Sequence, residues 1–376
     1  MMKEINQIKN NQDNVAMIGT PCQILAASKM EKYHDNIGDF PVDLTIGLFC
    51  MENFSYNYMK ELLNQYNIDM KDIEECRIEK GYLWFYLTQD KVFKIPLDEA
   101  KKCIRKSCQI CMDFTSEQSD ISVGSVGSPD GWSTIIIRTD KGLELVENAE
   151  KDYYIKTQPI SDKGLVLMDR LAVEKKNANK LEIKNREKVG RPVISRRFIP
   201  DEDFISEVSS CQFKDLKGDV IDIGACVLCG ACYWACPEDI IKIEDRKPEI
   251  KGECPEGCNA CYVACPRTYV SEDIVSKEES ERNPFGNYIK IMSAKAPMIN
   301  GQDGGVATAL LSYALANKIV DKVMVVDKSP SEPWKPIPKI TDNVADVLKA
   351  SGTKYAACPI FKSMKNKNDK KDNGGK

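Results

Sequence analysis

Four cysteines and a proline fall close together near the middle of the chain. Cys226, Cys229, Cys232 and Cys236 are spaced C-x2-C-x2-C-x3-C, with Pro237 directly after. A near-repeat follows, in which Cys254, Cys258, Cys261 and Cys265 are spaced C-x3-C-x2-C-x3-C and Pro266 comes next. Thiolates are soft, charged ligands that stabilise both oxidation states of an iron–sulfur cluster. The short gaps let three sulfurs wrap one cubane, and in two-cluster ferredoxins the fourth cysteine of each run ligates the other cluster. One 4Fe–4S cluster is therefore expected on Cys226, Cys229, Cys232 and Cys265, and a second on Cys254, Cys258, Cys261 and Cys236. All-cysteine zinc sites are the alternative, but their pairs stand farther apart and lack the C-x3-C-P ending present twice here.

A third set is scattered. Cys22 (in GTPCQ) lies just past the carboxyl end of one predicted strand, and Cys50 (in GLFC) ends another. That edge is where ligands bind in open α/β sheets. Cys108 and Cys111 form a C-x2-C in KSCQICMDF. The four could hold a third cluster, with Cys103 a rival for one position. Equally, Cys22 and Cys50 could be small buried apolar residues. Cys76, Cys211 and Cys358 are read as structural. Two glycine-rich segments, GQDGG (301–305) before an apolar helix and GSVGSPDGW (124–132) beside a strand, would let backbone N–H groups approach a phosphate. Such turns are more often simply turns.

The composition narrows the chemistry. The chain has 376 residues, 16 Cys, one His (His34) and a formal net charge of −4. That charge gives no reason to expect nucleic acid as a partner. No apolar run is long enough to span a bilayer and no secretion signal stands at Met1, so a cytoplasmic protein is expected. Sixteen cysteines in a reducing compartment point to ligation rather than disulfides. A single histidine also leaves Ser–His and Cys–His catalysis without partners, and His34 is read as structural or solvent-facing.

The elements that must position these residues alternate between strand and helix. NVAMIG and VDLTIGLFC read as strands, each followed by a helix (TPCQILAASKM and MKELLNQYN). WFYLTQDKVFKIPL reads as a hairpin, and STIIIRT as a strand backed by the helix GLELVENAE. Residues 161–200 become helical and charged, then lose apolar periodicity. In the last part, Val306, Leu310, Tyr313 and Ala314 share one helical face and VMVV is a strand. The fold class expected is α/β (α+β), with a small two-cluster ferredoxin-like domain. The boundaries are 1–200, 211–270 and 284–361, followed by a disordered lysine-rich tail over 362–376.

GTPCQILAASKM, IGLFCMENFSY, CQICMDFTSEQSDISVGSVGSPDGWSTIIIRT and GQDGGVATALLSYAL together resemble the beta subunit of coenzyme F420-reducing hydrogenase and its dehydrogenase relatives. The stretch ending CYVACPRT is similar to the ferredoxin-like extension that some members carry. The resemblance implies a flavoprotein that binds FAD and moves a hydride between flavin and coenzyme F420, its substrate. It implies that Cys22, Cys50, Cys108 and Cys111 hold the family's own cluster. It places Gly301, Gln302, Asp303, Gly304, Gly305 and Thr308, with Gly127, Ser128 and Trp132, around the FAD. No side chain is expected to be catalytic, because the cofactors carry the chemistry. The implied partners are a hydrogenase, a formate dehydrogenase or other redox subunits, and the reading allows an oligomer. A ferredoxin:F420 oxidoreductase acting alone, or feeding a sulfite reductase or glutamate synthase, has the same chemistry. A different reading is a non-catalytic, polyferredoxin-like electron carrier without a complete flavin site. The basic run KKCIRKSC is either a solvated face or an attractor for the acidic tail of F420.

The order of the segments departs from the family, in which GQDGG precedes GTPCQ. A circular permutation would assemble the flavin domain from residues 1–200 and 280–360 together. A rearranged gene, or the abutting ends of two tandem copies, is the plainer reading and the one the sequence favours.

Overall fold

The structure, a computed structural model, describes residues 13–275, 283–299 and 303–365. Strands β1 (Val15–Gly19) and β2 (Val42–Leu48) precede a meander of β3 (Ile73–Glu79), β4 (Tyr82–Leu87) and β5 (Lys91–Pro96). β6 (Ile121–Gly124), β7 (Ser133–Ile137) and β8 (Lys156–Pro159) follow. The short strands β9 (Phe198–Ile199), β10 (Ile241–Glu244), β11 (Lys247–Ile250) and β12 (Val270–Ser271) belong to the linker and cysteine-rich region. β13 (Lys290–Lys295), β14 (Lys322–Lys328) and β15 (Pro336–Thr341) come last.

Eight of these strands form one sheet in the order β15-β14-β1-β2-β6-β7-β13-β8. β14, β1, β2 and β6 run parallel, while β7, β13, β8 and β15 join in antiparallel pairs. The two ends of the chain therefore build a single sheet: β14 pairs with β1 (Val15 opposite Lys322), and β13 lies between β7 and β8. This is the assembly expected of a permuted order, achieved within one chain.

Alternation along the strands explains the layers. Ala16, Val323 and Val325 face a core with the helices Asp140–Lys151 and Val306–Ala316, through Leu145, Val146, Ala309 and Leu310. Met17 and Met324 face the opposite side, where the helix Pro21–Lys32 packs Ile24, Ala27 and Met30. A fully buried leucine or isoleucine in such a layer contributes about 1.5–3 kcal/mol. The helix Val306–Ala316 is buried nearly all round, beyond the single face expected from its spacing.

The cysteine-rich region does not stand apart. Trp234, Tyr262 and Val263 belong to the same core as Ile24 and Met30, together with Phe204 and Phe213 from the linker and Ile360, Phe361 and Met364. The tail expected from 362 is thus anchored as far as 365, within and just after the turn Ile360–Met364. The remainder of that tail, 366–376, lies outside the described residues.

Candidate redox site

Parallel pairing brings the carboxyl ends of β14, β1, β2 and β6 to one edge of the sheet, where β7 also begins and β13 ends. Cys22 lies in the first turn of the helix that follows β1. That helix starts with Pro21 at its amino end, and Gln23 accepts the Thr20 N–H at 2.9 Å. Cys50 lies two residues beyond β2, rather than ending it. Cys108 and Cys111 flank the turn Cys108–Ile110.

All four cysteines line one cleft of about 280 Å³ at this edge, and each acts electrostatically on others of the set. Cys103 is elsewhere, in the core beneath the β3–β5 meander with Cys76. Cys211 packs beside the cysteine-rich core, whereas Cys358 is buried and lines the cleft.

The cleft holds cations that sequence spacing did not reveal. Lys175 Nζ donates to the Cys50 and Asp113 carbonyls at 2.5 and 2.6 Å. Asn179, one turn along the helix Asp162–Lys188, donates to the carbonyls of Cys108 (3.0 Å) and Cys111 (2.5 Å). The i, i+4 spacing of Lys175 and Asn179, below the buried Met168 and Ala172, was the signal available for them. The Asn53 N–H donates to Cys108 Sγ at 3.3 Å and its amide to Cys50 Sγ at 3.6 Å.

Burial pushes the Cys22 thiol up to about 11 and raises Cys50 and Cys108 as well. Cys111 is held below its ordinary value: burial opposes its ionisation, but Lys175 and Arg267 outweigh burial. A cluster with four thiolates carries net negative charge, and two buried cations beside four thiols match that demand.

The ferredoxin-like cysteines group across the two runs. Cys236 lines one small cavity with Cys254, Cys258 and Cys261. Burial raises Cys232 most, and after it Cys226, Cys229, Cys265 and Cys261 act on it in that order. Cys236 thus lies with the second run in space, and Cys265 acts on Cys229 and Cys232 of the first. Cys229 in turn acts with Cys22, and Cys261 with Cys265, so the three sets stand in series toward the cleft. Among the described residues no three Cys, His, Asp or Glu side chains are arranged to hold a single metal ion.

The flavin candidates divide. Gly301 and Gln302 lie outside the described residues. Thr308 lines the cleft, and the other described candidates are not among its lining residues. Gly304 is packed so tightly that a Cβ would lie 2.6 Å from the Ser133 nitrogen and 2.8 Å from the Ala294 oxygen. Gly305, at φ +67°, is the N-cap of the helix Val306–Ala316, and Asp303 is exposed. Ser128 Oγ shares hydrogen bonds of 2.7 Å with Thr134 and Ser293, and Gly127 packs against Met168. Trp132 faces Lys156, 5.2 Å from the ring centroid. The segment 352–355, unassigned from sequence, lines the cleft and also a neighbouring cavity of about 390 Å³ under β3. Of the basic run, Lys101, Lys102 and Lys106 are exposed and Arg105 reaches the cleft. His34 is half-exposed beside the Glu31 carbonyl and is not a cleft residue.

Comparison with known proteins gives the family of this chain. The family model for the carboxyl-terminal part of the coenzyme F420 hydrogenase/dehydrogenase beta subunit matches residues 12–163, and the model for its amino-terminal part matches residues 291–365. The chain belongs to the coenzyme F420 hydrogenase/dehydrogenase beta subunit family. Within that family's order, the carboxyl-terminal part here comes first. A 4Fe-4S binding domain matches residues 219–242, between the two parts. Coenzyme F420 hydrogenase subunit beta of Methanococcus voltae is 41% identical over 184 residues, 48% of this chain and 66% of that protein. Its counterpart in Methanosarcina barkeri is 38% identical over 47% of this chain and 63% of its own length. The match thus spans slightly less than two thirds of these relatives. The F420-dependent formate dehydrogenase subunit beta of Methanocaldococcus jannaschii is 27% identical over 60% of this chain and 68% of that protein. A chain of the F420-reducing [NiFe] hydrogenase complex from Methanosarcina barkeri is 38% identical, with a TM-score of 0.44, over 47% of this chain and 62% of that one. Among the described residues, no helix is long and apolar enough to cross a membrane.

Proposed function

We propose that the protein is an iron–sulfur flavoprotein subunit that passes electrons between 4Fe–4S clusters and coenzyme F420 by way of FAD. The observation that carries this reading is the series of three cysteine sets ending at one cleft on the carboxyl edge of the sheet. Family membership supplies the substrate class, since related proteins are F420 hydrogenase and formate dehydrogenase subunits.

When bound, FAD exchanges electrons singly with clusters and in pairs with F420, which accepts a hydride. The chain's own residues supply the surroundings. Cys22, Cys50, Cys108 and Cys111 would hold the cluster nearest the cleft, with Lys175 and Arg267 balancing its charge. Thr308, in the first turn of its helix, and the bend at Gly352 (φ +93°) offer polar backbone and hydroxyl groups to a dinucleotide. Ile18, Leu48, Leu311 and Val325 give the cleft apolar walls that exclude water from a ring system. The adjoining cavity extends the space for a ligand longer than the cleft. A complex with a hydrogenase, a formate dehydrogenase or another redox subunit would deliver or remove the electrons.

The second reading, an electron carrier without a working flavin site, draws on the internal packing of Gly304, Gly127 and Ser128. An anaerobic assay of the reconstituted protein with reduced viologen, following loss of oxidised F420 absorbance, separates the two. FAD-dependent F420 reduction, with NADP inert as the control, supports the flavoprotein. Iron and sulfide without retained FAD or turnover supports the carrier.

A further inference from the structure

Arg267 stands two residues after Cys265, past Pro266, in the cysteine-rich region. Its backbone N–H donates to Cys265 Sγ at 3.4 Å. Its guanidinium points the other way and is buried, the residue being 7% exposed. Nη2 donates to the Ser107 carbonyl at 3.1 Å, and the charge acts on Cys111, Cys22 and Cys108. Nε has no hydrogen-bond partner among the described residues. Arg105 makes the reciprocal reach: it lines the cleft and donates from Nη2 to the Cys226 carbonyl at 2.9 Å.

A buried guanidinium is costly unless negative charge lies beside it. The electrostatic partners of Arg267 are thiols rather than carboxylates, so the charge it answers arises when those thiols are ionised as ligands. Its position joins two cysteine sets. One end of the residue touches a sulfur of the crossed set Cys226, Cys229, Cys232 and Cys265, and the other end sits among the sulfurs lining the cleft.

We infer that Arg267 is a positioning residue that raises the reduction potential of the centre on Cys22, Cys50, Cys108 and Cys111 and links that centre to the Cys265 set. The inference rests on the cluster reading above. A fixed positive charge stabilises the more negative, reduced form of a cluster, so it draws electrons toward the cleft. Because the charge comes from the cysteine-rich region, the centre at the cleft has its full surroundings only when that region is docked.

Potentiometric titrations followed by EPR test this on the wild-type protein, Arg267→Gln and Arg267→Lys, each loaded anaerobically and assayed for iron and sulfide. At equal iron content, Arg267→Gln should shift one centre to lower potential by a factor of about ten in its reduction equilibrium, or ~59 mV for one electron. Arg267→Lys should stay closer to wild type. Loss of one cluster from the glutamine variant alone, with the lysine variant loaded, also supports a role for the charge. Unmoved potentials at equal iron, or equal cluster loss from both variants, overturn it in favour of packing. Wild-type protein with iron for only two clusters would instead sink the third-cluster reading itself.

Discussion

Lys29 Nζ lies 2.8 Å from the carbonyl oxygen of Cys265, so the helix that carries Cys22 at its start grips the second cysteine run near its other end. The same amine donates to Thr268 Oγ1 at 2.9 Å and to the Tyr269 carbonyl at 2.7 Å, and it lies over the Phe204 ring. Lys29→Met keeps the apolar stem and leaves these acceptors without their donor. We expect a loss of about 1–3 kcal/mol in stability. Bleaching of cluster absorbance under a chelator should quicken in the variant, and an unchanged bleaching rate would show that the grip is dispensable.

Cys236 belongs to the first run by sequence and to the second by position, sharing a cavity with Cys254, Cys258 and Cys261. Cys236→Ser should therefore disturb the cluster of the second run, while Cys265→Ser disturbs that of the first. Iron content and EPR of the two variants should show complementary losses. Loss from Cys236→Ser of the signal that Cys226→Ser also loses would mean that each run closes on itself.

Lys354 sits at the end of the helix Val344–Lys349, donating to the carbonyls of Ser351 (3.2 Å), Gly352 (2.9 Å) and Ala350. Burial, aided by the neighbouring charge of Lys328, lowers its pKa to about 8. The unfolded chain holds this proton up to a pH of about 10.4, so between these values the unfolded state binds more protons than the folded one. Stability from this group therefore rises with pH across that window, by up to about 3 kcal/mol. Melting curves at pH 7.5 and pH 10 should show wild type gaining on Lys354→Met as pH rises. A constant gap would place the amine in a wetter environment than the structure gives it.

Gly304→Ala would drive a Cβ to within 2.6 Å of the Ser133 nitrogen, where β7 begins and β13 ends. Such overpacking costs about 1–3 kcal/mol. Gly218→Ala, which meets nothing within 4 Å, is the matched control. A lower Tm confined to Gly304→Ala is the expected result. Equal melting of both variants would mean that the loop yields freely, and would return Gly304 to consideration as a ligand-facing glycine.

Much of this was legible from local pattern. The strands around Met17 and Ile46, and the cysteines just past them, follow from short apolar runs ending in turns, and the hairpin of β4 and β5 from its polar turn. β3 and β13 escaped notice because their exposed charged positions dilute any alternation. That Cys236 lies beside the second run was readable because ligand spacing is a strong geometric constraint. Lys175, Asn179 and Arg267 were not, since a charged or amide side chain in a helix or loop normally faces water and only long-range packing turned these inward. The glycines of GQDGG and GSVGSPDGW had two physical explanations, close packing and ligand approach. For Gly304 and Gly127 the contacts supply the first directly.

The pairing of β1 with β14 also fixes a timetable. Asn14, just before β1, bonds to Asp321, just before β14, across 307 positions of sequence. At ribosomal rates of about 5–20 residues per second, roughly 15–60 s separate the making of these partners. Throughout that interval the outer edge of β1 has no strand beside it and is a template for mispairing with other nascent chains. Both cysteine runs leave the ribosome before β14 does. Iron and sulfide can thus reach them while that side of the molecule is still unfinished, before β14 and β15 complete the sheet.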